Sequence, residues 1–183
     1  MNHRRKWLLL LVVTAVVIAA DQISKALVVA NLSLYEEWAP IPALRSFFTI
    51  TYVQNTGAAF GILPDGGAFF VIVALIVIGI ILYFYRQLPD SLPLIRVALG
   101  LQLGGALGNL LDRVRLGYVV DFFDFKFWPV FNIADSCVVV GAIALVLLMW
   151  WDERRTARAE ALKAETDAQN DPPPSEEEHT SIS

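Results

Sequence analysis

The central stretch of this chain reads VVDFFDFKFWPVFNIADS over residues 119–136. It holds the carboxylates of Asp121, Asp124 and Asp135 among aromatic side chains, and it leads directly into the apolar run CVVVGAIALVLLMWW. Carboxylates in apolar surroundings cost free energy to keep, so they are retained where pairing or function requires them. These three acids are therefore the first candidate functional residues.

Composition places the chain among polytopic membrane proteins. Hydrophobic residues make up 56% of its 183 residues, and the mean hydropathy is +0.56. The net charge of −4 belongs to the C-terminal end, because residues 152–183 hold nine acidic and four basic residues, against nine and ten in the remainder. The overall acidity therefore says nothing about the membrane part, and no nucleic-acid partner is expected.

Histidine and cysteine are too scarce for several kinds of chemistry. His3 and His179 lie in the polar termini, and Cys137 is the single cysteine. These counts exclude an intramolecular disulfide, a cysteine zinc site, a Ser–His or Cys–His nucleophile pair and a His-x-x-x-His zinc helix. We expect neither a metal ion nor another cofactor.

Apolar segments predict four transmembrane helices, because each approaches the roughly 20 residues needed to cross the hydrocarbon core. The predicted spans cover residues 7–28, 68–86, 94–112 and 132–151. In the first, Asp21 and Lys25 lie four residues apart and share a helix face, so burial would leave an ion pair. In the third, Gly100, Gly104 and Gly108 recur every four residues and predict close helix packing.

The first apolar segment has an alternative interpretation as a secretory signal peptide. Ile18, however, stands where a small residue is expected for cleavage after Ala20, and apolar character resumes soon afterwards. We therefore interpret the segment as the first span.

Two loops on the same side separate the spans. Residues 31–67 contain breakers and a strand-like stretch from Phe47 to Val53, which predicts a small β-rich subdomain against the helix ends. Residues 113–131 are predicted to form a second outer loop. Basic residues cluster at the opposite ends of the spans, which places both termini in the cytoplasm. A membrane domain over residues 1–151 is then followed by an acidic, disordered cytoplasmic tail over residues 152–183.

Two hydrolytic mechanisms fit the remaining polar residues. Two carboxylates can share one proton, so that the ionised acid activates water while the protonated acid polarises a carbonyl. Asp121 and Asp135 could do this if the outer loop folds back over the fourth span. The alternative is a Ser–Lys pair, with Lys25 as base and Ser24 or Ser136 as nucleophile.

Non-catalytic roles for the same acids remain open. Asn132 is a good helix N-cap, and Asp135 in the first turn is favoured by the helix dipole. Asp121 and Asp124 could be solvated loop residues with Lys126 as a partner. A small proton-coupled carrier or an assembly factor could also use these carboxylates.

Five motifs in order resemble those of signal peptidase II, the bacterial lipoprotein signal peptidases. They are DQISK (21–25), NTGAAF (55–60), GALGNLLDR (105–113), VDF (120–122) and FNIADS (131–136). The resemblance implies a membrane all-α fold with four transmembrane helices, a small extracytoplasmic β-cradle and a second outer loop or flap. It also implies a multi-pass enzyme of the bacterial inner membrane with its active site near the outer leaflet.

The family is known for an aspartic endopeptidase activity. The resemblance implies removal of signal peptides from diacylglyceryl-modified prolipoproteins by cutting N-terminal to the lipidated cysteine. The implied partners are this substrate and membrane lipids, with the enzyme expected to be a monomer. Asp121 and Asp135 match the catalytic dyad. Residues implied to hold substrate or support the site are Asn109, Arg113, Asn132, Asn55, Gly57, Asp21, Lys25 and Gly108.

Overall fold

The computed structural model describes residues 3–57, 66–89 and 92–170. Its helices are α1 (His3–Asn31), α2 (Gly66–Gln87), α3 (Pro93–Leu116) and α4 (Ile133–Asn170). Its strands are β1 (Glu37–Trp38), β2 (Phe48–Asn55) and β3 (Val119–Phe125), and a short 3-10 helix covers Pro42–Leu44.

Four helices of the described part are long and apolar enough to cross a membrane. Their membrane-compatible stretches are Arg4–Asn31, Ala68–Gln87, Pro93–Leu116 and Ile133–Lys163. The predicted four-helix membrane fold is thus confirmed, and the stretches in α1, α3 and α4 are longer than the sequence predicts.

Helices α1 and α3 pack closely along the glycine stripe of α3. A methyl group added at each glycine would lie within 3 Å of a side chain of α1. The pairs are Gly100–Val13 at 2.9 Å, Gly104–Val17 at 2.6 Å and Gly108–Asp21 at 2.8 Å. Since the partners advance along α1 as the glycines advance along α3, the two helices run parallel. The predicted close packing is confirmed, and it brings Asp21 beside the C-terminal half of α3.

The three strands form one antiparallel sheet in the order β1-β2-β3. Strand β3 lies in the second outer loop, where the sequence analysis predicts no strand. Apart from Asp121 and Asp124 its residues are β-branched or aromatic, and the strand pairs with β2, for example Asp124 with Thr49. Such pairing joins residues far apart in sequence, which local patterns do not reveal. The expected flap stays a prediction.

The sheet rests against the C-terminal end of α1, as the sequence predicts. Val28 of α1 packs with Tyr52, Val120 and Phe122 of the sheet in one buried apolar cluster. Between its pairs with Phe123 and Asp121, β2 has one more residue than β3, which is the geometry of a β-bulge. The bulge sets the register of the following pairs, which include the pair at Asp121.

Gly117 ends α3 and turns the chain into β3. Its φ of 82° is left-handed, and its backbone N–H donates to the Arg113 carbonyl at 3.1 Å. This is a common helix C-cap, in which glycine avoids the strain of a side chain. The cap places β3 only a few residues after the polar end of α3.

Helix α4 continues to Asn170, whereas the sequence predicts disorder from residue 152. Residues 152–170 are rich in Ala, Glu, Lys and Arg, which are strong helix formers, and this explains the difference. The chain divides into two units, Met1–Val146 and Leu147–Ser183. In the second, the Arg154 guanidinium lies 4.0 Å from the Trp150 ring centroid. Residues 171–183 lie outside the described residues.

Candidate active site

Helix α4 begins with a reciprocal cap between Asn132 and Asp135. The Asp135 backbone N–H donates to Asn132 Oδ1 at 2.9 Å, and the Asn132 backbone N–H donates to Asp135 Oδ2 at 3.3 Å. This is the arrangement of a capping box, with Asp in the position usually held by Glu or Gln. The predicted N-cap role of Asn132 is confirmed, and Asp135 Oδ1 is left for another partner.

Asp121 lies in β3 with only 1% of its surface exposed. Its Oδ2 accepts a hydrogen bond from Asn55 Nδ2 at 2.8 Å, and its Oδ1 accepts one from Asn132 Nδ2 at 2.7 Å. Burial, together with the negative charge of Asp135, raises the pKa of Asp121 to about 6 despite these hydrogen bonds. Asp121 therefore keeps its proton at pH values where an ordinary aspartate has lost it.

Two asparagine side chains connect the two carboxylates. Asn109 Nδ2 donates to Asp135 Oδ1 at 2.7 Å, and Asn132 Nδ2 donates to Asn109 Oδ1 at 3.1 Å. Asn132 also donates to Asp121, so a single side chain contacts one acid directly and reaches the other through Asn109. The structure thus brings together four residues from α3, β3 and the start of α4.

A buried ion cluster lies beside these asparagines. Lys25 Nζ is 2.7 Å from Asp21 Oδ2 and 2.9 Å from Asp112 Oδ2, and it donates to Asn109 Oδ1 at 3.0 Å. The side chains of Lys25, Asp21 and Asp112 are 4%, 0% and 4% exposed. The predicted pairing of Asp21 with Lys25 is confirmed. The ammonium group has three N–H donors, and these three partners account for all of them.

The two acids of this cluster also hold the backbone beside each candidate catalytic carboxylate. Asp21 Oδ1 accepts the Ala134 N–H at 3.0 Å, and Asp112 Oδ2 accepts the Val120 N–H at 3.2 Å. Ala134 immediately precedes Asp135 in α4, and Val120 immediately precedes Asp121 in β3. The cluster therefore fixes the first turn of α4 and the strand β3 relative to each other.

Two glycines permit close approaches at the site. Gly57 has a φ of +76°, and its N–H donates to Asn55 Oδ1 at 2.9 Å, which orients the amide that binds Asp121. A methyl group added there would lie 2.3 Å from the Phe70 ring. At Gly108 the added methyl group would meet Asp21, as described for the helix packing. At both positions the absence of a side chain leaves room for a neighbouring residue, Phe70 at Gly57 and Asp21 at Gly108.

Arg113 lies near the acids and makes few direct polar bonds. Its guanidinium is 5.2 Å from the Phe70 ring centroid, Nη1 donates to the Asn109 carbonyl at 3.3 Å, and it interacts electrostatically with Asp135 and Asp121. Within the described part of the chain, Arg113 Nε is buried without a hydrogen-bond partner. A positive group with a spare donor therefore stands beside the two acids.

Comparison with known proteins identifies the family. The family described as "Signal peptidase (SPase) II" matches residues 13–151. The chain is 46% identical over 143 residues to a lipoprotein signal peptidase of Halothermothrix orenii, covering 78% of this chain and 96% of that protein. It is 50% identical over 135 residues to one of Moorella thermoacetica, covering 74% and 88%.

The chain belongs to the signal peptidase II family.

A solved structure of a bacterial membrane enzyme agrees with this assignment. It superposes with a TM-score of 0.70 at 33% identity, covering 79% of this chain and 88% of that one. As a signal peptidase II, the chain is a membrane-embedded aspartic peptidase that removes signal peptides from lipoproteins. A non-enzymatic carrier or assembly factor is excluded by the same finding.

The Ser–Lys alternative finds no support in the geometry of this signal peptidase II. Lys25 Nζ contacts Asp21, Asp112 and Asn109, and neither Ser24 nor Ser136 is among these partners. Ser136 Oγ donates to the Asn132 carbonyl at 2.9 Å. Among residues 3–57, 66–89 and 92–170, no group of three or more His, Cys, Asp or Glu side chains could hold a metal ion.

Asp124 is not the solvated loop residue that the sequence suggests. It lies in β3, and its Oδ2 accepts hydrogen bonds from Thr51 at 2.8 Å, from Thr49 at 3.3 Å and from Lys126 Nζ at 2.7 Å. Its expected partner Lys126 is confirmed, and the loop assignment is wrong because β3 pairs with β2. These partners are different from those of Asp121, three residues earlier.

Asp112 and Gln22 are site residues that sequence reasoning left without a role. Gln22 Nε2 donates to Asp112 Oδ1 at 2.8 Å and to Asp21 Oδ2 at 3.2 Å. Helical spacing contains a usable signal, because Asp112 lies three residues after Asn109 and shares its face. The hydrogen bond from Gln22 of α1 to Asp112 of α3 cannot be predicted from helical spacing, because it depends on how the two helices pack.

The variant Asp121→Asn is expected to gain thermal stability relative to the parent protein as the pH rises. In the folded protein the pKa of Asp121 is raised from 3.8 to about 6, so ionisation opposes folding. The free-energy cost of ionising Asp121 in the folded protein is absent at pH values well below 3.8. It is complete at pH values above about 6, where it reaches about 3 kcal/mol. Unfolding temperatures in detergent at about pH 4.5 and about pH 7.5 measure the difference.

The matched control for this stability measurement is Asp124→Asn. Burial of Asp124 is outweighed by hydrogen bonds from Lys126 and Thr51, which lower its pKa, so its ionised form stabilises the fold. The stabilisation by ionised Asp124 is present at pH values above its pKa in the unfolded chain, which is near 4. Asp124→Asn should therefore be less stable than the parent by a similar amount at about pH 4.5 and about pH 7.5. A pH dependence of Asp121→Asn that parallels the parent would contradict the assignment of the raised pKa.

Proposed function

We propose that Asp121 and Asp135 are the catalytic dyad of this signal peptidase II. The observation that carries the proposal is the Asn132 side chain, which donates to Asp121, accepts from the Asp135 backbone and binds Asn109, itself bound to Asp135. Two carboxylates held in one amide network can share a proton and titrate as a pair.

The chemistry follows from this sharing. The ionised carboxylate takes a proton from water as the water oxygen attacks the scissile carbonyl carbon. The protonated carboxylate, for which the raised pKa favours Asp121, gives its proton to the carbonyl oxygen. The tetrahedral intermediate then collapses. The C–N bond breaks as the leaving nitrogen takes the proton that the first carboxylate removed from water, and a hydroxyl of the intermediate returns a proton to the second carboxylate as the new carbonyl forms.

The substrate is proposed to be a diacylglyceryl-modified prolipoprotein, cut N-terminal to its lipidated cysteine. Exposed aromatic side chains on the sheet and its turns fit a membrane–water interface, where a lipid-anchored substrate would present its scissile bond. They are Tyr35, Trp38, Phe47, Phe127 and Trp128. Arg113, with its spare Nε donor, is proposed to bind substrate together with Asn109 and Asn132.

The orientation is proposed from the distribution of basic residues. Arg4, Arg5 and Lys6 lie at the N-terminal end of the first span, and Arg86 and Arg96 lie on either side of the connection between the second and third spans. This bias supports an orientation with both termini in the cytoplasm and the dyad near the outer leaflet of the inner membrane. The peptidase is proposed to reside in residues 1–151, with residues 152–183 as a cytoplasmic extension and a monomer as the active form.

The purified protein is expected to cut a diacylglyceryl-modified precursor peptide and to leave the unmodified peptide of the same sequence intact. The lipid would anchor the cysteine at the interface beside the dyad, and so would supply the positioning on which cleavage depends. Mass spectrometry of the products in detergent gives both the rate and the cleavage position. Equal turnover of the two peptides, or a cut on the other side of the cysteine, would contradict the proposed specificity.

A further inference from the structure

A cavity of about 360 Å³ lies between the N-terminal end of α1, the C-terminal end of α2 and the N-terminal half of α3. The described residues that line it are Lys6, Trp7, Tyr85, Arg86, Leu88 and Arg96. Lys6 precedes Lys25 by 19 residues in the same helix, a distance of roughly 28 Å along the axis. The cavity is therefore at the opposite end of the bundle from the dyad, and the peptidase mechanism does not use it.

The lining is strongly cationic. Of the six lining residues that belong to the described part of the chain, three carry a positive charge and none carries a negative charge. In the sequence, residues 3–7 and 85–96 hold five basic residues and one acid, Asp90, which lies outside the described residues. Even with Asp90 counted, these two sequence segments have an excess of four positive charges, which attracts an anion.

Arg96 is buried and held in a fixed position at this cavity. It is 1% exposed, its guanidinium carbon lies 4.9 Å from the Tyr85 ring centroid, and Nη2 donates to the carbonyls of Leu88 and Pro89 at 2.7 and 3.0 Å. Arg96 Nε is buried and has no hydrogen-bond partner in the described part of the chain. A fixed guanidinium with an unused donor at a cavity is suited to an oxyanion, because a buried donor costs free energy until it is satisfied.

Contacts of two aromatic residues connect α1 and α2 beside the cavity. The rings of Trp7 and Tyr85 are 5.1 Å apart, and the Tyr85 hydroxyl donates to the backbone carbonyl of Lys6. The neighbouring helix faces are apolar and exposed, as at Leu8, Phe84 and Leu94. The surroundings therefore combine a cationic recess with surfaces that lipid acyl chains can cover.

We propose that this cavity binds the phosphate group of an anionic phospholipid in the leaflet next to the N-terminus. The Arg96 guanidinium would hold one phosphate oxygen through Nε, with Lys6 and Arg86 balancing the remaining charge. A soluble phosphate compound shares the recognition chemistry, but the exposed apolar helix faces favour a lipid. Basic pockets between membrane helices commonly take such headgroups.

The test compares two double variants that remove the same charge. Lys6→Gln/Arg86→Gln removes two cations from the cavity lining, and Arg4→Gln/Arg5→Gln removes two exposed cations from the same end of α1 without touching the lining. Native mass spectrometry and thermal unfolding in neutral detergent are recorded with added phosphatidylglycerol, with phosphatidylcholine, or with soluble glycerol phosphate. Unfolding temperatures without lipid show whether each variant is folded.

Phosphatidylglycerol, unlike phosphatidylcholine, is expected to bind and stabilise the parent protein. The cavity variant should bind it roughly 30-fold more weakly, and the control variant should lose far less. Stabilisation by glycerol phosphate as strong as that by the lipid would overturn the assignment to a phospholipid and indicate a soluble phosphate compound instead. Equal lipid retention by the two double variants would overturn the site itself. Peptide cleavage is not the readout, so failure here is distinguishable from failure of the proposed dyad.

Discussion

Replacing either Asp121 or Asp135 by asparagine is expected to lower the turnover of a lipid-modified precursor by at least about 1000-fold. An amide can neither take a proton from water nor give one to a carbonyl oxygen, so the shared proton is lost whichever acid is changed. Because the proposed dyad shares one proton between its two acids, the double variant should lose little more than either single variant. Initial rates of precursor cleavage at saturating substrate measure the effect.

The matched control for the dyad is again Asp124→Asn, an identical change three residues from Asp121 in the same strand. Asp124 is bound by Thr49, Thr51 and Lys126. Among the described residues, none of these three is hydrogen-bonded to Asp121 or Asp135. Its turnover should stay within about threefold of the parent, because only sheet stability changes. Turnover near the parent value in Asp121→Asn or Asp135→Asn would contradict the proposed dyad.

The membrane spans could be predicted from the sequence because their cause is local. About 20 consecutive apolar residues cross a bilayer whatever the rest of the chain does. The pairing of Asp21 with Lys25 was predictable for the same reason, since helix geometry alone puts residues four apart on one face. The glycine stripe of α3 likewise predicted close packing, although it did not name α1 as the partner.

Features that depend on contacts between distant segments of the chain could not be predicted from the sequence. Strand β3 forms because its residues pair with β2, whose residues lie about 70 positions earlier. The bridge from Asp121 through Asn132 and Asn109 to Asp135 joins three elements, and motif resemblance supplied these residues without their contacts. Asp112 was left without a role because its partners Lys25, Gln22 and Val120 come together only when α1, α3 and β3 pack.

Replacing Lys25 by methionine is expected to destabilise the fold by about 3–5 kcal/mol and to lower turnover by roughly 100-fold. The neutral side chain fits the same space, but it leaves Asp21 and Asp112 buried without their positive partner. Their carboxylates also hold the amides of Ala134 and Val120, so repulsion between them would shift the backbone at both dyad residues. Unfolding temperature and cleavage rate, measured on the same preparation, report the two consequences.

The same substitution at Lys126 provides the control, because Lys126 also contacts two carboxylates. Its Nζ lies 2.9 Å from Glu37 and 2.7 Å from Asp124, but its side chain is 29% exposed, against 4% for Lys25. Water screens such a pair, so Lys126→Met should cost no more than about 1 kcal/mol and leave turnover unchanged. Equal losses in the two methionine variants would contradict the role of burial.

A second substitution separates charge from packing within the cluster. In the Lys25→Met background, Asp112→Asn removes one of the two uncompensated charges, while its amide oxygen can still accept the Val120 N–H. Part of the lost stability should therefore return, and with it part of the activity, because the backbone beside Asp121 regains its position. If the double variant is instead less stable than Lys25→Met, the loss arises from packing around the methionine, and the ion cluster does not position the dyad through its charge.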